Sequence, residues 1–242
     1  MKWFLIRGDI EMASRPVFIT SELSNDLVRV EEFEFEWFPG FSATQKKKSI
    51  ESLHQAFQNK YENKKVLEIS SKSESELGVN LSAFNLHLEL SNGHKASVES
   101  LYQASKVFEQ GGPFIDIRYK SSLDAKRDER LKNSGEVIGF MHKKDLWDIE
   151  PKTAFYNWLY LNVLNLNNDL KNEVLQYDAF TDIEFNPKKS FSCQAEAIAL
   201  YVSLRKKNLL TETGMIPARD DFLNLVRNKI NRMSQDEPPK LL

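Results

Sequence analysis

A single cysteine among 242 residues, Cys193, leaves no partner for an intramolecular disulfide and suits a reducing compartment. Long apolar runs are also missing. The run over residues 3–6 stops at Arg7, short of a secretion-signal core, and no later stretch approaches the ~20 apolar residues of a spanning helix. The expectation is a cytoplasmic protein with no membrane partner. Excess positive charge is lacking too: 33 basic side chains face 35 acidic ones, for a net charge of −2. A broad nucleic-acid field is therefore absent, and a nucleic-acid substrate would be held locally, through a few Lys and Arg. His54, His87, His94 and His142 share no ligand spacing with one another or with the cysteine. Neither a P-loop nor a dinucleotide fingerprint is present, Gly111-Gly112 being too short a signal. No metal and no cofactor is expected. There is no internal repeat and no low-complexity tract.

What the chain has is core material. Sixteen Phe and four Trp, in a composition 41% hydrophobic and 28% charged, suffice for a normal hydrophobic interior without staples. Met12 is an alternative start to Met1, and little is built on the residues ahead of it.

The first part of the chain mixes strand and helix. Residues 17–20 are a short β-branched run, and 28–37 alternate, with Val28, Val30, Phe33, Phe35 and Trp37 set against Glu32, Glu34 and Glu36. After Thr44, Ile50, Leu53, Ala56 and Phe57 recur at helical spacing, and 66–69 is another short strand. From about Leu81 onward helical period dominates. Helices are predicted over 97–109, 122–132, 151–164, 168–177, 191–207 and 218–233. Pro151 and Pro217 suit first helical turns, and Phe222, Leu225, Val226 and Ile230 form the stripe of the last helix. The class is α+β: a small strand-and-helix portion over 1–76, then a larger, mostly α-helical portion over 77–242. These are either two domains or one continuous body.

The segment Ser97-Val98-Glu99-Ser100-Leu101-Tyr102-Gln103-Ala104-Ser105-Lys106 carries the most chemistry. Ser97 is a plausible helix N-cap. Glu99, Gln103 and Lys106 stand at i, i+4 and i+7, so one helix would present a carboxylate, an amide and an amine in a row. A solvated charged face is the competing reading of such a stripe.

This segment, with Leu81-Ser82-Ala83-Phe84 before it and Thr181-Asp182-Ile183-Glu184-Phe185 after it, resembles the NADAR family, named for its association with NAD and ADP-ribose metabolism. The resemblance covers roughly residues 78–207. Further runs, GGPFIDI (111–117), AKRDERLKNSG (125–135), LWDIEPKTAFYNWLY (146–160) and YDAFTDIEFNPKKSFSCQAEA (177–197), resemble one subgroup. Its members are encoded beside DarT-type DNA ADP-ribosyltransferase toxins. FEWFPGFSATQKKKSI at 35–50 extends this likeness toward the N-terminus. The broader family carries Trp-Gly after its late Asp, where this chain has Glu184-Phe185. That departure suits a substrate other than the riboflavin-pathway intermediates handled by some members.

The resemblance implies a NADAR-like core and an antitoxin hydrolase that strips ADP-ribose from guanine bases. Its substrate would be ADP-ribosylated single-stranded DNA or a nucleoside, ADP-ribose its product, and a DarT-type toxin its functional partner. The catalytic candidates are then Glu99, Lys106 and Asp182. Glu99 would stabilise the developing oxocarbenium charge or activate water. Lys106 would clamp phosphate or departing base, or form an imine with ring-opened ribose. Asp182 would orient ribose hydroxyls or activate water, or merely cap the next helix. Ser82, Phe84, Tyr102 and Gln103 would bind substrate, with Tyr102 and Trp147 as candidate base stackers or core. Arg127, in a basic cluster with Lys126, Arg130 and Lys132, and Lys188 are candidate phosphate contacts. For most of that cluster a salt-bridged surface helix is the simpler reading. Two other functions remain open: an N-glycosidase on small nucleotide-like metabolites, and a non-catalytic module that binds ADP-ribose or neutralises a toxin by contact.

Overall fold

The computed structural model describes residues 11–21, 26–40, 42–186, 192–210 and 215–233. Strand β1 (Met12–Thr20) pairs antiparallel with β2 (Val28–Glu36) along its whole length. Pro16 is tolerated because only the far end of β1, at Phe18 and Ile19, takes a second neighbour. That neighbour is β9 (Ala179–Thr181), which also pairs in parallel with β3 (Val66–Glu68), giving the order β2-β1-β9-β3.

Both faces of this sheet are covered, which explains the pattern along β2. Phe33 and Phe35 join Val17, Ile19 and Ala179 under helix α1 (Ala43–Lys60), which Ser42 caps by accepting the Gln45 N–H at 3.3 Å. Phe18, Val28, Leu67 and Phe180 point the other way, into the main core with α6 (Ala154–Leu166) and α8 (Gln194–Lys206). Val30, which the alternation sets beside Val28, is exposed. Helix α8 is buried on every side from Ala197 to Leu204, so it is the central rod of the larger half.

Between these layers run α2 (Glu76–Asn80), the hairpin of β4 (His87–Glu89) and β5 (Lys95–Ser97), and α3 (Val98–Ser105). Next come β6 (Lys106–Phe108), a 3₁₀ turn at Ile115–Tyr119, α4 (Ser122–Lys126) and α5 (Arg130–Asn133). Strands β7 (Val137–His142) and β8 (Asp145–Trp147) join β6 in the sheet order β6-β7-β8. Helix α7 (Asn168–Glu173) with its 3₁₀ extension precedes β9, and α9 (Arg219–Met233) follows α8.

The α+β class holds, but the larger half is less helical than its sequence pattern suggests. It contains β4 to β9, and all of these except β7 are three residues long. Three residues span barely one alternation, too little for a period-2 signal. The helix predicted over 97–109 stops at Ser105, and the one over 122–132 splits. Asp128 interrupts it by turning its carboxylate onto the Arg130 N–H and Nε. Pro151 stands ahead of α6 rather than in its first turn, and Pro217 accepts the Trp158 indole N–H. In α9, Phe222 and Val226 are buried and Leu225 packs on them; the side chain of Ile230 lies outside the described residues. No helix among the described residues is long and apolar enough to cross a membrane.

Candidate active site

The site begins with two chain segments stitched together by backbone bonds. After α2, the turn at Ser82-Ala83-Phe84 is held from both sides: the Ala83 N–H donates to Gln194 Oε1 at 2.7 Å, and the Ala83 carbonyl accepts the Glu99 N–H at 2.9 Å. Gly78 lets α2 lie close against β3, since a Cβ there would meet the Glu68 carbonyl at 2.1 Å. Ser97 caps α3 by accepting the Ser100 N–H at 3.0 Å, and Ser122 Oγ lies 2.8 Å from both Ser97 Oγ and the Phe84 carbonyl. The first turn of α3 and the Ser82–Phe84 turn are thereby fixed relative to each other.

Glu99 and Gln103 lie one turn apart on α3 and both are buried. Gln103 Nε2 donates to Glu99 Oε1 at 2.9 Å, while Gln103 Oε1 has no partner among the described residues. A solvated face is thereby excluded for this stripe. Lys106 reaches the same space by another route. It is the first residue after the helix, with φ −64° and ψ 130°, and it opens β6 opposite Phe140. Its ammonium sits 5.0 Å from the centroid of the Tyr102 ring. Gly112 passes close behind, where φ is +79° and a Cβ would meet the Lys106 carbonyl at 2.5 Å.

These side chains wall a cavity of about 850 Å³, which Asp182 enters from the end of β9. Tyr102 forms part of its wall through a ring stacked on Phe140, with centroids 5.3 Å apart. Burial pushes the Lys106 amine below its usual range against the opposing pull of Glu99, and Lys126 adds to the depression. Burial likewise raises the Asp182 carboxyl to about 8, aided by the charge of Glu68. An amine and a carboxylic acid are thus both moved toward neutrality in one cleft.

Of the sequence candidates, Ser82, Phe84, Glu99, Tyr102, Gln103, Lys106 and Asp182 all line this cavity. Trp147 does not. It is 2% exposed and packed between Phe155 and Trp158, because β8 delivers it to the interior beneath the site. Arg127 is exposed over a separate, shallow depression, because α4 ends at Lys126 and the chain turns away. Of that basic cluster only Lys126 reaches the cavity wall, 5.5 Å from the Phe84 ring centroid. Lys188 lies outside the described residues. Sequence reasoning missed Tyr156 and Gln194, which line the cavity, and Glu68 behind it. A lone acid inside the apolar strand 66–69 was the available signal for Glu68. Among the described residues no group of His, Cys, Asp and Glu is placed to hold a metal ion.

A cleft of this size lined by perturbed titratable groups is what an enzyme active site requires. The particular family follows from comparison with known proteins: the description "DarT1-associated NADAR antitoxin" matches residues 13–236, and the chain belongs to that family. No curated protein matches the chain.

Proposed function

We propose that the protein is a hydrolase that cleaves the N-glycosidic bond between ADP-ribose and guanine in DNA, acting as antitoxin to a DarT-type ADP-ribosyltransferase. The observation that carries this reading is the convergence of Glu99, Lys106 and Asp182 on one cavity. Each supplies something glycosidic cleavage needs. Glu99, held by Gln103, places negative charge beside the sugar as it develops oxocarbenium character. Asp182, raised to about 8, is a proton donor for the departing base at neutral pH. Lys106, whose amine burial pushes toward the uncharged form, is the nucleophile that attacks the anomeric carbon as the bond to guanine breaks. The resulting lysine adduct opens to an imine, and water hydrolyses it to ADP-ribose and the free amine.

The test incubates the protein with single-stranded DNA carrying ADP-ribosylated guanosine and measures released ADP-ribose, with Glu99→Ala and Lys106→Ala in parallel. Release by the wild type and loss in both variants is expected. Borohydride added during turnover is expected to trap sugar on Lys106 and not on the alanine variant. ADP-ribose bound tightly but never released from DNA would leave a binding module instead. Turnover of the free nucleoside alone would favour the small-metabolite glycosidase, a reading that suits the near-neutral charge of −2.

A further inference from the structure

Glu68 is a carboxylate buried at the end of β3, 2% exposed and opposite Thr181 in the parallel pair. Its Oε2 accepts from Thr181 Oγ1 at 2.6 Å and its Oε1 from the Ile183 N–H at 2.9 Å, with Ser70 adding a side-chain bond. The residue between those two anchors is Asp182. Two carboxyl groups therefore share one end of β9, and no ion pair among the described residues includes either.

Lys72 and Lys106 wall the same cavity as Asp182 but form no ion pair with either carboxyl group among the described residues, and the nearer surroundings offer little to neutralise a second charge. Glu184 on the same loop is negative and tied to Lys46 at 3.5 Å. Gln194 from α8 presents an amide, and burial keeps Tyr156 and Tyr160 from α6, with Cys193, uncharged. His54 from α1 is also neutral, since burial lowers it to about 4. Its Nε2 lies 2.9 Å from Thr181 Oγ1. A hydroxyl has one proton, so when Thr181 gives it to Glu68, the hydroxyl oxygen accepts from His54. With His54 in the tautomer that donates from Nε2, that row suits an ionised Glu68. Burial raises the Glu68 carboxyl too, but three donors, from Thr181, Ile183 and Ser70, oppose it, whereas Asp182 has the Glu184 N–H at 3.1 Å and the Gln194 amide. Like charges this close do not both ionise.

We infer that Glu68 is a positioning residue whose fixed negative charge keeps the proton on Asp182, the acid that faces the cavity. During cleavage that proton passes to the base nitrogen as the glycosidic bond breaks. The water that later hydrolyses the lysine adduct returns it to the carboxylate. This use of the proton rests on the glycosidase reading above; its location on Asp182 does not.

The test follows the carboxylic-acid carbonyl band by infrared spectroscopy across pH in wild type, Asp182→Asn and Glu68→Gln. At pH 7 the wild type shows a buried protonated carboxyl that Asp182→Asn lacks, a contrast that stands even if Glu68→Gln fails to fold. In Glu68→Gln the midpoint falls by about 1–3 pH units. The alkaline limb of kcat/KM for ADP-ribose release moves acidward by the same amount. An ionised Asp182 in the wild type at pH 7, or an unmoved midpoint in Glu68→Gln, overturns the inference. A moved midpoint with no release from any substrate upholds the proton on Asp182 and sinks the glycosidase reading. A moved midpoint with an unmoved rate profile overturns the use of that proton in catalysis.

Discussion

Around Arg130, cations and carboxylates meet directly. Arg130 Nη2 is 2.6 Å from Asp116 and 2.8 Å from Asp128, and Lys120 Nζ is 2.7 Å from Asp128. Hydrogen bonds from Arg130 hold the Asp128 carboxyl far below the carboxylate range, and Asp128 and Asp116 in turn raise the guanidinium. In the cavity the same residue types stand without such partners: Lys106 faces an aromatic ring, and Asp182 faces another carboxyl group. Their pKa values move the opposite way, toward neutral pH. Pairing locks a charge in place, whereas burial without pairing makes a proton movable. Of the two clusters, only the second has the shifted amine and carboxyl that the proposed acid–base chemistry needs.

Four variants probe this contrast. The largest effect is expected for Lys106→Ala, which removes the depressed amine. ADP-ribose release should fall by on the order of 10²–10⁴-fold with the fold intact by circular dichroism. A rate within about threefold of wild type would show that the cavity amine is idle.

Asp182→Asn is expected to change how stability responds to pH. The folded acid titrates at about 8 and the unfolded one near 3.8, so between those values the folded state keeps a proton the unfolded state has lost. Stability therefore falls as pH rises through that window, by an order of a few kcal/mol in all. Urea melts at pH 5 and pH 8 should show a smaller loss in the variant than in the wild type. Equal losses would mean Asp182 titrates normally.

Asp128→Asn works in the other direction. Its carboxyl is depressed in the fold, so its contribution is complete at neutral pH and is lost on acidification. The variant should lose about 1–3 kcal/mol at pH 7 while releasing ADP-ribose at the wild-type rate. The smallest effect belongs to Arg127→Ala, on the exposed side of the cluster, where stability should stay within about 0.5 kcal/mol and substrate KM should not move. A raised KM there would return Arg127 to the phosphate contacts.

The sequence pattern carried the long elements well. Residues 28–37 and the apolar spacing after Thr44 correspond to β2 and α1, since each has a buried face long enough to repeat. The helices near 151–164 and 191–207 were legible from their helical period even though α8 is buried on every side from Ala197 to Leu204. Of the three-residue strands only β3 was legible, as the short run 66–69; the others were not, and their pairing is tertiary. For the site, Glu99 and Gln103 follow from one turn of helix. Lys106 joins them for a different reason than helical spacing implies: the chain leaves α3 in an extended conformation, and β6 rather than the helix aims the amine. Trp147 and Arg127 show the limit of residue type as a guide. An aromatic is attractive as a stacker and an arginine as an anion clamp, but strand direction and helix end decide what each one faces.

Strand β9 has one more consequence, for biosynthesis. It is three residues long, yet it lies between β1 and β3, segments made far earlier, and Asp182 follows it directly. A nascent chain emerging from the ribosome can form the β1–β2 hairpin and α1 by local contacts. The gap that β9 fills stays open until translation is well advanced. No fragment that ends before β9 contains Asp182, so its place in the cavity beside Glu99 and Lys106 is filled only late in synthesis.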